Sequence, residues 1–309
     1  MNKPNLFLVG QPKSGTTALH DFLGQHPEIY MANIKAPHFF CHDFHQESDK
    51  FHKMKLYFDY RDPEFYLKLF SQAKSAKILG ESSDHYLCSQ VAAREIYQFN
   101  PEAKIIIFLR EPVSFLRSLH NHFVKVTNEE EEDFILALAL EKDRIKGKSI
   151  SPRIMCPSWG HYSQRINYYE QIKRYYDIFD PKQIKIIIYE DFRANNHQVY
   201  REILEFLEVD PNFIPEYKSL NVSKEVRFKQ LNYLINNQII KNITKKLFSQ
   251  SFLDFVRIQI VERFLWKPAS QSLEIPEYFQ KELKEKFKPE VIKTSELIGV
   301  DLITKWGYN

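Results

Sequence analysis

The sequence feature that most constrains the fold is a short apolar run near the start of the chain that ends in a glycine-containing loop. It reads Asn5-Leu-Phe-Leu-Val-Gly-Gln-Pro-Lys-Ser-Gly-Thr-Thr-Ala-Leu19. Residues 6–9 are apolar, as in a strand that is buried on both faces. Gly10 and Gly15 interrupt that strand, and small hydroxyl residues follow where a helix begins. The pattern predicts strand, loop and helix, and the free N–H groups of such a helix start favour binding of phosphate or sulfate.

The loop resembles a nucleotide-binding P-loop except in the position of its lysine. The Walker pattern G-x-x-x-x-G-K-[ST] places lysine directly after the second glycine. Here the loop runs Gly10-Gln-Pro-Lys-Ser-Gly15-Thr-Thr, so Lys13 comes two residues before that glycine. We expect the Lys13 ammonium to lie over the loop, next to the bond between the phosphate of a nucleotide and the group transferred.

A second anion site is predicted at the end of another strand. The run Lys104-Ile-Ile-Ile-Phe-Leu-Arg110 is apolar and β-branched, as is typical of a central parallel strand. It ends in Arg110, where a P-loop kinase usually has an Asp that holds Mg²⁺. Ligands of open α/β sheets bind beyond the carboxyl ends of the strands, so Arg110 should lie beside the first loop if the two strands are neighbours. Ser118 follows about two helical turns later and is the hydroxyl expected to share the anion.

Strands and helices alternate along the chain. Strands are predicted at residues 77–81 and 183–189, and helices at residues 64–73, 90–99, 158–176, 199–207 and 277–298. This alternation predicts an α/β fold, a P-loop-like arrangement of three layers with a central parallel sheet and helical additions at the C-terminal end. We expect the 309 residues to form one domain, residues 1–309, of which 231–309 is mostly helical.

Several stretches without clear periodicity are predicted to lie outside those elements. Residues 41–62 are expected to form a surface loop or lid over a pocket, and residues 146–157 a basic linker. The acidic stretch 128–132 is predicted to be the solvated start of a helix. The proline after Ala36 should keep Ala36 extended, so that the side chains of Ala36 and His38 point the same way.

The charge and cysteine content narrow the function classes. The formal net charge is only +3, from 43 basic and 40 acidic residues, so a nucleic-acid partner is not expected and anion recognition must be local. A basic patch within residues 224–246 is the alternative surface for a membrane or nucleic acid, but its lysines are spread around the helix. The 3 cysteines lie far apart, which favours free thiols over disulfides or a metal site. With no signal peptide and no apolar run of membrane-spanning length, the expected location is the cytoplasm.

Four stretches of the chain resemble sulfotransferases that use 3′-phosphoadenosine 5′-phosphosulfate. The resemblance is greatest to bacterial and heparan-sulfate-type members, and the stretches occur in order over nearly the whole chain. They are residues 8–19, the segment Lys35-Ala-Pro-His-Phe-Phe40, the segment Phe108-Leu-Arg-Glu-Pro-Val113 with Ser118, and residues 297–302 with Trp306. The resemblance implies an enzyme that moves a sulfuryl group from this donor to an acceptor hydroxyl, on a small natural product or a saccharide, and that requires no metal.

By position, the resemblance also implies which residues bind the donor. The 5′-phosphosulfate is assigned to Lys13, Ser14, Gly15, Thr16 and Thr17. The 3′-phosphate is assigned to Arg110 and Ser118, together with the basic loop at Ser223, Lys224 and Arg227. Tyr162, in the motif Gly160-His-Tyr, is a further candidate near the nucleotide.

The proton acceptor departs from the family pattern. Heparan-sulfate-type members usually carry Glu at the second position of Lys-Glu-Pro-His-Phe-Phe, where this chain has Ala36. His38 is the first substitute, because an unperturbed imidazole pKa of about 6.5 suits a base near neutrality. Cytosolic members place a base histidine after the second strand, and the matching loop here holds Glu81, Asp84 and His85. These three residues remain open as alternatives.

Two other functions remain open at this point. A small-molecule kinase with a displaced loop lysine would require Mg²⁺-dependent binding of ATP. A nucleotide-binding protein without catalysis would explain the loss of the usual carboxylate at Ala36.

Overall fold

A parallel sheet of five strands forms the centre of the molecule, whose computed structural model describes residues 3–217, 224–226, 229–249, 266–268 and 275–309. The strands are β1 Leu6–Gly10, β2 Ile29–Met31, β3 Ile78–Ser82, β4 Lys104–Leu109 and β5 Ile184–Ile188. They lie in the order β2-β3-β1-β4-β5. A separate antiparallel pair consists of β6 Lys224–Val226 and β7 Trp266–Pro268.

The α-helices flank this sheet or follow it in the chain. They are α1 Thr16–Gly24, α2 His42–His52, α3 Pro63–Leu67, α4 Ala92–Phe99, α5 Pro112–Lys125, α6 Phe134–Ala139, α7 Glu141–Ile145, α8 Tyr168–Tyr176, α9 Tyr189–Ala194, α10 Asn196–Leu207, α11 Lys229–Asn236, α12 Gln238–Leu247, α13 Glu277–Ile298 and α14 Leu302–Trp306. Turns of 3₁₀ helix occur at Lys68–Phe70, Pro157–Gly160, Tyr162–Ile166 and Pro181–Gln183. Among the helices of the described ranges, none combines the length and the hydropathy needed to cross a bilayer.

Strand β1 is central because its side chains enter two cores, one on each face of the sheet. Phe7 and Val9 belong to the larger core, which α5 and α8 help to form. Leu6 and Leu8 belong to the smaller core, which includes residues of α1 and α10. A strand that is apolar on both sides therefore has helices on both faces, as the sequence predicts.

The strand order brings two predicted anion sites together. Strand β1 pairs in parallel with β4 on one side and with β3 on the other. The loops that leave these three strands consequently meet at one edge of the sheet. The predicted C-terminal helix is also confirmed, since α13 runs from Glu277 to Ile298 and ends at Gly299 in the left-handed conformation.

Several predicted elements differ in the structure. The expected loop at 41–62 contains helix α2, whose buried side chains Phe44, His45 and Ser48 form one face. The expected single helix over 158–176 is divided into two 3₁₀ turns and α8. The division occurs because His161 and Asn167 have ψ values of 79° and 59°, outside the helical region.

The acidic stretch 128–132 does not start a helix, contrary to the sequence prediction. Helix α6 begins at Phe134 and is capped by Asp133, whose carboxylate accepts from two backbone N–H groups. Glu129 is buried and forms an ion pair with Arg144 at 2.7 Å. This acidic side chain is therefore part of the interior rather than of a solvated surface.

Candidate active site

A cavity of about 1290 Å³ opens at the carboxyl ends of β1, β3 and β4. Its walls come from the loop after β1, the segment 34–38, the loop after β3 and one face of α5. Lys13 and Arg110 thus share one space with His38, Asp84 and His85.

Glycine is required where the first loop leaves β1. Gly10 has φ 146°, and a Cβ placed there would lie 2.8 Å from the carbonyl oxygen of Asp84. The contact is reinforced on both sides, because Ser83 N–H donates to the Leu8 carbonyl and Leu87 N–H to the Val9 carbonyl. The loops after β1 and β3 therefore touch, and the region of Asp84 lies beside the anion loop.

The start of α1 is open to a ligand. Its N-cap residue Gly15 has φ 96°, and no side chain caps the helix. Lys13, Gly15, Thr16 and Thr17 line the cavity. Ser14 is buried and its hydroxyl donates to the Pro12 carbonyl at 3.4 Å, so only its backbone remains for an anion.

Lys13 is a partly buried cation in this loop. Burial lowers the pKa of its ammonium group, and the Asp84 carboxylate opposes part of that shift. Burial and the nearby cations both make the charge costly, so an anion bound beside Lys13 would be held strongly.

Arg110 is fixed in place by three neighbours. Its guanidinium donates to the Lys13 carbonyl at 2.7 Å and to the Ser114 hydroxyl at 3.0 Å, and lies 4.5 Å from the centre of the Tyr189 ring. Glu111 does not pair with it, because that carboxylate caps α5. Arg110 and Ser118 both line the cavity, which bears out the predicted neighbourhood of the first loop.

His122 is a cavity residue that sequence reasoning missed. It lies one helical turn beyond Ser118 on α5 and lines the same cavity. Burial, followed by the charge of Lys13, lowers its pKa to about 3, so the imidazole is neutral. The spacing of four residues from Ser118 was the signal in the sequence that could have identified it.

The loop after β3 presents an imidazole paired with a carboxylate. His85 Nδ1 lies 3.1 Å from Asp84 Oδ1, and the His85 ring stacks on Trp159 with centroids 3.7 Å apart. Burial lowers the pKa of His85 to about 4, although the Asp84 hydrogen bond opposes this. Burial alone would raise the pKa of Asp84, but Lys35 and His85 hold it well below its usual range. The pair is therefore a neutral imidazole beside an ionised carboxylate.

His38 lies edge-on to this pair. Its ring centroid is 5.4 Å from that of His85, and burial followed by the effect of His85 lowers its pKa to about 3. Ala36 and His38 have φ values of 60° and 54°, so Ala36 is not extended as predicted. The Ala36 N–H instead turns to donate to the Ser82 carbonyl at 2.7 Å, although both residues line the cavity.

Besides Ser14, five sequence-derived candidates have no side chain described in the cavity. Glu81 lies within β3, is fully buried and does not line the cavity, so its carboxylate does not face an acceptor there. Tyr162 is also buried and does not line the cavity, and its hydroxyl donates to Glu129 at 3.0 Å. Ser223 and Arg227 lie outside the described residues, and the third member of that basic loop, Lys224, begins β6.

Part of the cavity wall is aromatic. This part includes Tyr57, Phe58, Tyr60, Phe123 and Trp159. The predicted lid region 41–62 thus contributes to the pocket through its last residues, although its first half is helical. Rings of this kind favour the flat apolar faces of a sugar or another small organic molecule.

A metal ion is poorly matched to the charges of this centre. Among the described residues, His38, Asp84 and His85 form a group whose ligand atoms lie within 4.8 Å of one another. However, Lys35 Nζ lies 3.4 Å from Asp84 Oδ2, and Lys13 adds a second positive charge to the surroundings. These cations oppose a further cation and favour an anion.

Comparisons with known proteins give consistent matches. The profile of the sulfotransferase domain matches residues 3–289. Carbohydrate sulfotransferase 15 of Homo sapiens is 26% identical over 261 residues, which cover 67% of this chain and 44% of that protein. The bifunctional heparan sulfate N-deacetylase/N-sulfotransferase 4 of Mus musculus is 26% identical over 219 residues, covering 68% of this chain and 23% of that protein. The chain spans less than half the length of these curated relatives.

Among the similar solved structures, one covers nearly the whole chain. The crystal structure of a sulfotransferase from Alicyclobacillus acidocaldarius is similar with a TM-score of 0.71 and 26% identity, covering 99% of this chain and 100% of that one. The α/β fold with its parallel central sheet is the same in kind.

Proposed function

This chain belongs to the sulfotransferase domain family, and from that premise we propose that it transfers a sulfuryl group from 3′-phosphoadenosine 5′-phosphosulfate to an acceptor hydroxyl. The observation that carries the proposal is a single cavity with an uncapped helix start and Lys13 on one side and the His85–Asp84 pair on the other. A donor anion and a proton acceptor are the two things that such a transfer requires.

The donor end of the cavity fits a nucleotide with two separate anionic groups. The N–H groups at the start of α1, with Lys13, would hold the 5′-phosphosulfate. Arg110 and Ser118 would hold the 3′-phosphate, and the hydrogen bonds of Arg110 to Lys13 and Ser114 keep its guanidinium in position. An arginine at this strand end recognises an added phosphate directly, whereas an Mg²⁺-dependent kinase would place an Asp there.

Positioning and electrostatic stabilisation would carry most of the rate enhancement. As the acceptor oxygen forms its bond to sulfur, the bond between sulfur and the bridging phosphate oxygen breaks, and the electron pair stays on that oxygen. Lys13 and the loop N–H groups would stabilise this developing charge in a partly buried site. The neutral His122, on the same face of α5 as Ser118, borders the same space.

We assign proton removal to His85, with His38 as the alternative. When His85 Nδ1–H donates a hydrogen bond to the Asp84 carboxylate, the lone pair of the neutral imidazole lies on Nε2, and this atom has no partner within the described residues. Stacking on Trp159 holds the ring, and the Asp84 carboxylate would stabilise the imidazolium that forms. The nearby carboxylate makes His85 better suited than His38 to take the proton.

We propose that the acceptor is a saccharide, with a small natural product as the second possibility. The two curated relatives described above are named as sulfotransferases of carbohydrate and of heparan sulfate. The aromatic part of the cavity wall also suits the apolar face of a sugar ring.

The proposal is tested by incubating the protein with the donor and a panel of saccharides and small phenols. Sulfated product and adenosine 3′,5′-bisphosphate should appear together. In calorimetry, the bisphosphate should bind without Mg²⁺ and more tightly than ATP. Mg²⁺-dependent binding of ATP would favour a kinase instead, and bisphosphate binding with no product from any acceptor would favour a nucleotide-binding protein.

A further inference from the structure

A buried carboxylate is linked by hydrogen bonds to the two segments that carry the proposed proton acceptors. Glu81, at the end of β3, is 0% exposed, and its carboxylate accepts hydrogen bonds from three hydroxyl groups. Oε1 accepts from Tyr66 at 2.9 Å and Tyr86 at 2.8 Å, and Oε2 accepts from Ser83 at 2.7 Å. Together these four residues form what we call the Glu81 network. Nothing in the proposed transfer uses this carboxylate directly.

Two hydroxyls of the Glu81 network also hold the neighbouring segment of the chain. The Ser83 hydroxyl accepts the backbone N–H of His38 at 3.0 Å, and the Tyr86 hydroxyl accepts the N–H of Phe40 at 3.1 Å. Each of these hydroxyls can accept from the segment because it donates its own proton to Glu81. The carboxylate therefore sets the direction of both hydrogen-bond chains.

The same two hydroxyls flank the proposed base in sequence. Ser83 and Tyr86 lie immediately before and after Asp84 and His85. The Glu81 network thus ties the loop that carries the imidazole–carboxylate pair to the segment that carries His38. We propose that Glu81 is a positioning residue of this sulfotransferase, which fixes His85 and His38 relative to each other through Ser83 and Tyr86. This inference rests on the proposed function.

Protonation of Glu81 would reverse one of these hydrogen bonds. A protonated carboxyl would donate to one hydroxyl, and that hydroxyl would have to redirect its own proton. Burial raises the pKa of Glu81 to about 7, although the hydroxyl hydrogen bonds oppose this. The titratable groups that face it are Tyr66, Tyr86 and the Cys41 thiol, whose pKa values burial raises well above their usual range. Glu81 is thus the group in this network that would titrate near neutral pH.

A matched pair of variants tests the proposal. Tyr86→Phe and Tyr66→Phe each remove one hydroxyl from Glu81 Oε1, and both rings are fully buried. Only the Tyr86 hydroxyl also accepts the Phe40 N–H. We expect Tyr86→Phe to lower kcat by about tenfold or more through misplacement of the base. Tyr66→Phe should lower kcat much less, and the KM for the donor should stay unchanged in both.

Hydrogen exchange gives a readout that does not depend on activity. The Phe40 amide should exchange faster in Tyr86→Phe than in Tyr66→Phe, at similar melting temperatures. Glu81→Gln, which preserves the shape of the side chain, should lower kcat and remove an inflection near pH 7 from the pH profile of kcat. Retention of that inflection would mean that another group causes it, and would contradict the proposal.

The outcomes separate this inference from the proposed function. A wild-type protein that forms no sulfated product overturns the function, while the exchange of the Phe40 amide still reports on the network. An active wild type, with equal kcat and equal amide exchange in the two tyrosine variants, overturns the positioning role alone. Loss of folding in both Glu81→Gln and Tyr86→Phe would make the network purely structural and would also overturn it.

Discussion

Lys13 is a charged residue in a partly buried loop, where a cation is costly. It is partly buried, with φ 62°, and burial lowers the pKa of its ammonium group. Because its charge would stabilise the leaving phosphate oxygen, Lys13→Ala should lower kcat by about 10²-fold or more.

A matched control tests whether replacing a lysine at a positive φ is by itself enough to lower turnover. Lys74 is exposed and also has a positive φ, 46°, so Lys74→Ala makes the same chemical change away from the cavity. Steady-state kinetics of the two variants, with melting temperatures, provide the comparison. Equal turnover in wild type and Lys13→Ala would remove sulfuryl transfer at this loop from consideration.

His85 and His38 differ in how they are held, and this difference predicts different effects of substitution. His85→Gln should lower kcat by about 10²-fold or more, since removal of a general base commonly costs that much. His38→Gln should have a smaller effect, because no carboxylate orients its ring among the contacts described. The donor affinity should be unchanged in both, as measured by calorimetry with the bisphosphate. A larger loss in His38→Gln would assign the base to that residue.

Helix α14 and Tyr308, near the C-terminal end, form hydrogen bonds with the elements that hold Arg110 at the cavity. Trp306 Nε1 donates to Glu190 Oε2 at 2.9 Å, and the Tyr308 hydroxyl donates to Glu111 Oε1 at 2.7 Å. Glu111 caps α5, and Glu190 directly follows Tyr189, the ring on which Arg110 lies. These contacts connect the end of the chain to the strand ends that present Arg110.

Trp306→Phe tests this support at the level of the element. Loss of the indole donor leaves a partly buried carboxylate without one partner, which should lower the free energy of unfolding by about 1–3 kcal/mol. The Kd for the bisphosphate should rise because Tyr189 is held less firmly. Denaturant unfolding and calorimetry measure the two effects, and Tyr278→Phe, at an exposed ring on α13, is the control. An unchanged Kd would show that α14 contributes stability alone.

At the scale of the whole molecule, buried neutral histidines predict a loss of stability in mild acid. Burial lowers the pKa values of five imidazoles to about 3 or about 4, those of His20, His38, His45, His85 and His122. Below about pH 6.5 the unfolded chain binds protons that the folded chain does not, so stability falls by up to about 1.4 kcal/mol per pH unit for each group. Glu81 has the opposite effect, because its raised pKa lets the folded state bind a proton as the pH falls below about 7.

The five imidazoles outnumber the described carboxyl groups with a raised pKa, which are Glu81, Glu95 and Glu290, so the melting temperature should decrease between pH 6.5 and pH 5. Calorimetry at several pH values measures this change. His85→Gln should show a smaller decrease than the wild type, since one of the five imidazoles is absent. A melting temperature that rises over this range would contradict the described burial of these side chains.

Much of the element pattern could be predicted because it depends on local spacing. The buried strand before Gly10, the run that ends in Arg110 and the helix from Glu277 to Ile298 all have strong periodicity or clear end signals. The prediction of a single helix over 158–176 was wrong. The helical spacing of apolar residues continues through this range, but the backbone leaves the helical conformation at His161 and Asn167. Expectations about one domain and about donor contacts remain predictions.

The sequence by itself determined the residues of the proposed donor side, and tertiary structure decided which residues form the proposed acceptor side. A strand, a glycine loop, a helix start and Lys13 are adjacent in the chain, so their chemistry is readable from local order. The proposed proton-accepting centre combines a turned segment at His38 with the loop after β3, and the register of neighbouring strands brings them together. The same register buries Glu81 while Asp84 and His85 border the cavity. Whether a side chain borders the cavity depends on the side of the sheet or loop from which it projects. The packing of the sheet decides this, and the local sequence alone does not.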